Sequence, residues 1–154
     1  MPNPYKYINL EYLESITDGN NELVKELVNI FIEQVPEFNE GFEEGIEKGD
    51  WSLIAAVAHK AKSSVMSMGM DELGNKDLKN LELLAKLLKL DEAKSTHGDD
   101  DETLQFKKSF ENYPEDRKKW LMENKNKDSI QKIIEHFNST CQSALDELNV
   151  VLKN

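Results

Sequence analysis

One long amphipathic stretch limits what this chain can fold into. From Asn21 to Lys48 the apolar residues Leu23, Leu27, Ile30, Phe31, Val35, Phe38, Phe42 and Ile46 recur at helical intervals. Pro36 falls inside that stretch. It removes one backbone hydrogen bond, and because the apolar period continues beyond it, a kink and not a break is expected. Gly49 then supplies a helix stop, and Asp50 an N-cap for whatever follows. A helix this long is held by packing its apolar stripe on other helices. No segment shows the sustained alternation of a half-buried strand, so the fold class is all-α.

The other segments follow the same period. A short helix is expected from about Leu10 to Thr17, with Leu10, Leu13 and Ile16 on one face, ended by Asp18-Gly19-Asn20-Asn21, which also caps the long helix. A third helix runs from Asp50 to Met68 and is closed by Gly69. A fourth runs from Asp71 to Leu90 with Leu73, Leu78, Leu81, Leu84, Leu87 and Leu88, and a last from Asp128 to Leu152 with Ile130, Ile133, Ile134, Phe137, Leu145, Leu148 and Leu152. Residues 91–127 break the pattern. Ser95 to Asp101 reads as a loop. The segment after it carries Leu104, Phe106, Phe110, Tyr113, Trp120 and Leu121 among lysines, too aromatic for disorder. It is read as an insertion with one or two short helices on the outside of the bundle. The expected architecture is an antiparallel four-helix bundle with an additional N-terminal helix and this insertion before the last helix. The 154 residues are expected to form a single domain, with the bundle at 8–90 and 128–152 and the insertion at 91–127.

Charge excludes some functions. The chain carries 30 acidic and 19 basic residues, a formal charge of −11, which repels nucleic acid. No apolar run approaches the roughly 20 residues of a membrane span, and the N-terminus lacks the pattern of a secretory signal. The single cysteine, Cys141, allows no intrachain disulfide and no cysteine-based metal cage, and is expected buried on the last helix. A cytoplasmic location fits these features.

Against this acidic background, the twenty residues from Trp51 to Met70 contain no Asp or Glu, yet hold His59, Lys60 and Lys62. On a wheel of about 100° per residue, the core face of this helix gathers Ile54, Val65, Ala58, Trp51, Ala61, Met68 and Val57, and His59 falls about 140° from Ile54. It is therefore expected on the exposed side, among Ala55, Ala56, Lys62, Ser63 and Met66. Lys62 lies one turn along, within reach of anything attached to the imidazole, and an ammonium suits phosphoryl oxygens. A neutral imidazole is a competent nucleophile near neutral pH. A solvent-exposed histidine beside two lysines is the plainer reading of the same residues.

The run Ala58-His59-Lys60-Ala61-Lys62-Ser63-Ser64, followed by Met68-Gly69-Met70 and Leu73, resembles the histidine-containing phosphotransfer (HPt) domain of two-component phosphorelays. Phe31 to Glu37 resembles that family's second-helix signature, Gly49-Asp50-Trp51 its lead into the histidine helix, and Leu81-Glu82 the pair on the following helix. The resemblance covers about residues 8–90, with a generic final helix. It implies a phosphoryl carrier. His59 would accept a phosphoryl group from a receiver-domain aspartate and pass it to another receiver. Lys62 would steady the group, and Gly69 would let the third and fourth helices join. Ser63 stands where glycine is frequent and could donate a hydrogen bond. The resemblance further implies no cofactor on this chain, Mg²⁺ on the partner receiver, and receiver domains and a (hybrid) histidine kinase as partners. Ala55, Ala56, Met66 and Gln34 are the expected partner-binding residues, and a monomer is expected.

No glycine-rich phosphate loop and no serine or cysteine triad is readable, so autokinase activity is not expected. His97, in an acidic loop, and His136, on the last helix, read as surface or structural histidines. The alternative function is a non-catalytic helical adaptor that binds a partner through 91–127, with His59 incidental.

Overall fold

A computed structural model describes residues 4–93 and 101–153. The elements are α1 (Glu11–Ile16), α2 (Asn21–Lys48), α3 (Trp51–Ser67), a π-helical turn (Leu73–Leu78) running into α4 (Lys79–Ala93), α5 (Asp101–Glu111), α6 (Glu115–Asn124) and α7 (Lys127–Lys153). No strand occurs among the described residues. The expected loop at 95–101 lies mostly outside them, and its last residue, Asp101, opens α5.

Local chemistry sets the ends of the long helices. The Asn20 side chain accepts from the amides of Glu22 and Leu23, at 3.1 and 3.2 Å, and starts α2. Gly49 ends it in the left-handed region, and Asp50 accepts from the Leu53 amide at 3.1 Å to start α3. α2 is continuous through Pro36.

α3 lies between α2 and α4, and α7 closes the ring against both. Neighbours run antiparallel. On α2 and α3, Gly45 lies against Ile54 and Gly41 against Val57; a Cβ at Gly45 would stand 2.5 Å from Ile54 Cγ1, so the small residues set how closely the two helices approach. On α3 and α4, Trp51 Nε1 donates to Glu92 at 2.9 Å, while the other end of α3 meets the π-helical turn. Phe42 and Phe137 pack edge to face, 5.4 Å between centroids, where α2 meets α7.

The buried faces are shifted from those expected. α2 buries Val24 and Val28, while Leu23 and Ile30 are exposed. Ile16 on α1 is exposed as well. α1 is too short to cover this flank. Ile30, at 50 % exposure, and Ile16, at 55 %, line one shallow depression with Tyr12, Gln34 and Ser63. On α7, Cys141, Ala144 and Val151 are buried beside Ile130, Ile134, Phe137 and Leu148, whereas Ile133, Leu145 and Leu152 are only partly covered. On α3, Trp51 and Val57 are likewise half-buried.

The fourth helix also departs from expectation by opening with the π-helical turn. Gly74 in that turn faces α3 so closely that a Cβ there would stand 2.5 Å from Met66 Cγ and 3.2 Å from the Lys62 carbonyl oxygen. Gly69, at φ +81°, makes the preceding bend against the backbone of Asn9, whose amide donates to the Met68 carbonyl at 2.9 Å. The N-terminal strap is held from the far side by one carboxylate. Glu147 on α7 accepts from the amides of Lys6, Tyr7 and Ile8 at 2.7, 2.8 and 3.0 Å.

The insertion does not lie only on the outside. Leu121 of α6 is fully buried in the same core as the bundle residues. Arg117 hydrogen-bonds the buried Asn80 on α4, and Lys125 pairs with Asp91 at 2.7 Å. Among the described residues no helix is long and apolar enough to cross a membrane.

Candidate functional site

His59 projects from the middle of α3, with its side chain 72 % exposed. Its Nδ1 lies 3.0 Å from Oε1 of Glu82 on α4. Glu82 is itself buried, its side chain only 10 % exposed, within the run Leu81-Glu82-Leu83-Leu84-Ala85 whose other members are all core residues. A carboxylate in that position is held by cations. Lys86 Nζ, one turn along α4, donates to Oε2 at 3.1 Å, and Lys62 Nζ stands 3.7 Å from Oε1. One carboxylate thus faces His59, Lys62 and Lys86.

Two effects compete at Glu82. Burial raises its pKa, but the hydrogen bonds from Lys86 and His59, with the charges of Lys86 and Lys62, outweigh burial and hold the carboxyl below its ordinary value. It is ionised at neutral pH. An ionised carboxylate can only accept, so the neutral imidazole carries its proton on Nδ1 and keeps its lone pair on Nε2. The tautomer and the ring orientation are both set by the contact at Nδ1.

This corrects one expectation. The acid-free window from Trp51 to Met70 does not give His59 a surrounding without carboxylates, because the neighbouring helix supplies one. The charge balance around the ring is one carboxylate against two ammonium groups, a net positive spot on an acidic chain.

The remaining expected site residues do not form one cluster. Ala56 is exposed and lines a depression with His59, Glu82 and Lys86. Ala55 lines it too, but is buried, because α4 packs across that side of α3 and widens its covered arc. Met66 is half-buried and occupied with Gly74, so it serves the α3–π-turn contact and is not a free docking residue. Ser63 is exposed, and with the half-buried Gln34 it lines the separate apolar depression against α1 and α2. Lys62 reaches the same Glu82 oxygen as His59 and also lines a cleft between α4 and α5.

Sequence reasoning gave no site role to Lys86, nor to Glu82, which it named only as half of the Leu81-Glu82 pair. Their signal is a Glu–Lys pair at i, i+4 whose glutamate interrupts a run of core leucines. His136 lies 3.4 Å from Asp77 and is largely exposed. Burial raises the Asp77 carboxyl, against the lowering by His136 and Lys76. His97 lies outside the described residues. Among the described residues there is no group of three or more histidine, cysteine or acidic side chains placed to hold a metal ion. No protein-family model, no curated protein and no solved structure matches the chain.

Proposed function

We propose that this chain is a histidine phosphotransfer protein, a phosphoryl carrier of a two-component phosphorelay. The observation that carries the reading is an exposed imidazole whose Nδ1 is fixed by the buried Glu82, leaving Nε2 as the free nucleophile. In the proposed step the Nε2 lone pair attacks the phosphorus of an aspartyl phosphate on a receiver domain. The N–P bond forms, the bond to the acyl oxygen breaks, and the aspartate leaves as a carboxylate. The ring then carries positive charge with its proton still on Nδ1, and the Glu82 carboxylate stabilises it. Lys62, and Lys86 beyond it, offset the charge of the phosphoryl oxygens. In the return step a carboxylate oxygen of a second receiver attacks the phosphorus, and the N–P electrons go back to Nε2.

The receiver supplies Mg²⁺ and most of the catalytic apparatus, so the chain is a carrier that needs its partner and not an enzyme in its own right. A partner that reaches His59 also finds the apolar depression of Tyr12, Ile16 and Ile30 on the neighbouring flank, a surface of the kind that marks protein contacts. Ser63 and Gln34 belong to that docking surface in this reading, and the phosphoryl group is steadied by lysines. The cytoplasmic compartment belongs to the same proposal.

The test is intact-mass analysis after treatment with a small phosphoramidate donor, on the wild type and on His59→Gln. The expected result is one acid-labile phosphate on the wild type alone, which an added receiver domain removes. Equal labelling of both proteins would place the phosphate on ordinary exposed histidines and end the reading.

A further inference from the structure

The insertion builds a second feature beside His59. α5 lies across from α4 and encloses an open cleft of about 330 Å³. Four lysines line it: Lys62, Lys79, Lys86 and Lys89. Among the described residues Glu82 is the one carboxylate lining it, and Glu82 is already shared among His59, Lys62 and Lys86. Among the described residues no carboxylate pairs with Lys79 or Lys89. The walls between the ammonium groups are apolar: Leu83 and Leu90 on α4, Phe106 and Tyr113 from the insertion. Lys86 Nζ stands 5.9 Å from the centre of the Phe106 ring, so the cation and the aromatic wall are in contact.

Glu82, Lys86 and Lys89 also line the depression that holds His59, Ala55 and Ala56. The two depressions adjoin along these shared residues of α4, and the groove on the α5 side lies beside His59. On a chain of formal charge −11 this is a concentration of unmatched positive charge.

We propose that this groove binds an acidic peptide segment with an apolar anchor, contributed by the protein that docks over His59. Charge complementarity selects an anion, since among the described residues four lysines face one shared carboxylate. The form of the groove selects a chain segment over a compact ligand. It is open to solvent, and its cations are flexible side chains, whereas small-molecule sites enclose their ligand and fix a few polar groups around it. The apolar walls take a leucine or phenylalanine between the acidic residues. α5 thereby gives the insertion a role in partner choice. The proposal does not depend on phosphorylation of His59.

The test uses the full chain and a fluorescein-labelled peptide of about ten residues, alternating Asp and Glu around one Phe, read by fluorescence anisotropy. The wild type should bind it, less tightly as salt rises. Lys79→Glu combined with Lys89→Glu should weaken binding about tenfold or more. Lys132→Glu combined with Lys153→Glu changes the net charge equally on exposed positions of α7, and should leave binding within about twofold. Thermal melts confirm that each variant is folded. Three results overturn the proposal: no binding by the wild type, equal weakening in both double variants, or displacement of the peptide by millimolar inorganic phosphate or benzoate as effectively as by unlabelled peptide. The last would assign the cleft to small anions. None of these readouts involves phosphate transfer, so a failure here and a failure of the carrier reading are distinguishable.

Discussion

Glu82 and His59, 23 residues apart in sequence, meet at 3.0 Å across the α3–α4 contact, the glutamate buried and the histidine in water. The pair divides its duties by burial. The covered partner fixes proton position and ring angle, and the uncovered one presents the free nitrogen.

The charge of Glu82 should be visible in the pH dependence of stability. Its carboxyl titrates below its unfolded value of 4.5 in the folded protein. The ionised form therefore stabilises the fold at neutral pH, and that contribution is lost as pH falls below the unfolded value and through the folded one. Glu82→Gln should cost about 1 kcal/mol at pH 7, a modest figure because Lys62 and Lys86 are partly in water. The difference from wild type should shrink as the pH is taken below 4.5. Urea unfolding followed by circular dichroism checks this. A gap that persists unchanged in acid would mean that packing, and not charge, is what the substitution removes.

Lys62→Ala separates the proposed phosphoryl chemistry from the fold. The Nζ of Lys62 is 3.7 Å from Glu82 and the side chain keeps partial exposure, so the loss in stability should stay within about 1 kcal/mol. Phosphoryl acceptance from a receiver should slow, or the phosphohistidine should hydrolyse faster. Stopped time courses of acid-labile phosphate on both proteins measure this. Identical rates and lifetimes would leave Lys62 to the α4–α5 cleft alone.

Cys141 gives a prediction at the opposite end of the pH scale. Burial on α7 pushes its thiol up to about 12. The folded protein should resist a thiol reagent such as dithionitrobenzoate at pH 8 and react in full once unfolded in guanidinium. Because the unfolded thiol ionises near 9 and the folded one does not, stability should decline as pH rises above 9. Rapid modification of the native protein would show that α7 opens locally.

Much of this fold is legible in the sequence, and the exceptions have physical causes. Asn20, Gly49, Asp50 and Gly69 act as read, because caps and left-handed turns depend on local chemistry. The buried face of α2 is less legible. Leu23 and Ile30 satisfy the helical period as well as Val24 and Val28 do, and the packing of α2 on α3 and α7, with α1 too short to cover the outer flank, decides which set is covered. The π-helical turn leaves no mark in composition; it goes with the close approach of Gly74 to Met66 and the Lys62 carbonyl. At the site, His59 and Lys62 share one helix face and can be read together. Glu82 comes from another helix, so a window of α3 free of acids could not reveal it.

The grip of Glu147 on residues 6–8 has a consequence for tethering. It ties the start of the described chain to the end of α7, so both ends leave the bundle at one pole. The same pole holds Gly69 and the end of α3, and His59 stands eight residues back from Ser67, about 12 Å along the axis. Residues 6–8 and the end of α7 are thus fastened together at the bundle's tip, and the histidine and the lysines of α4 lie along its side.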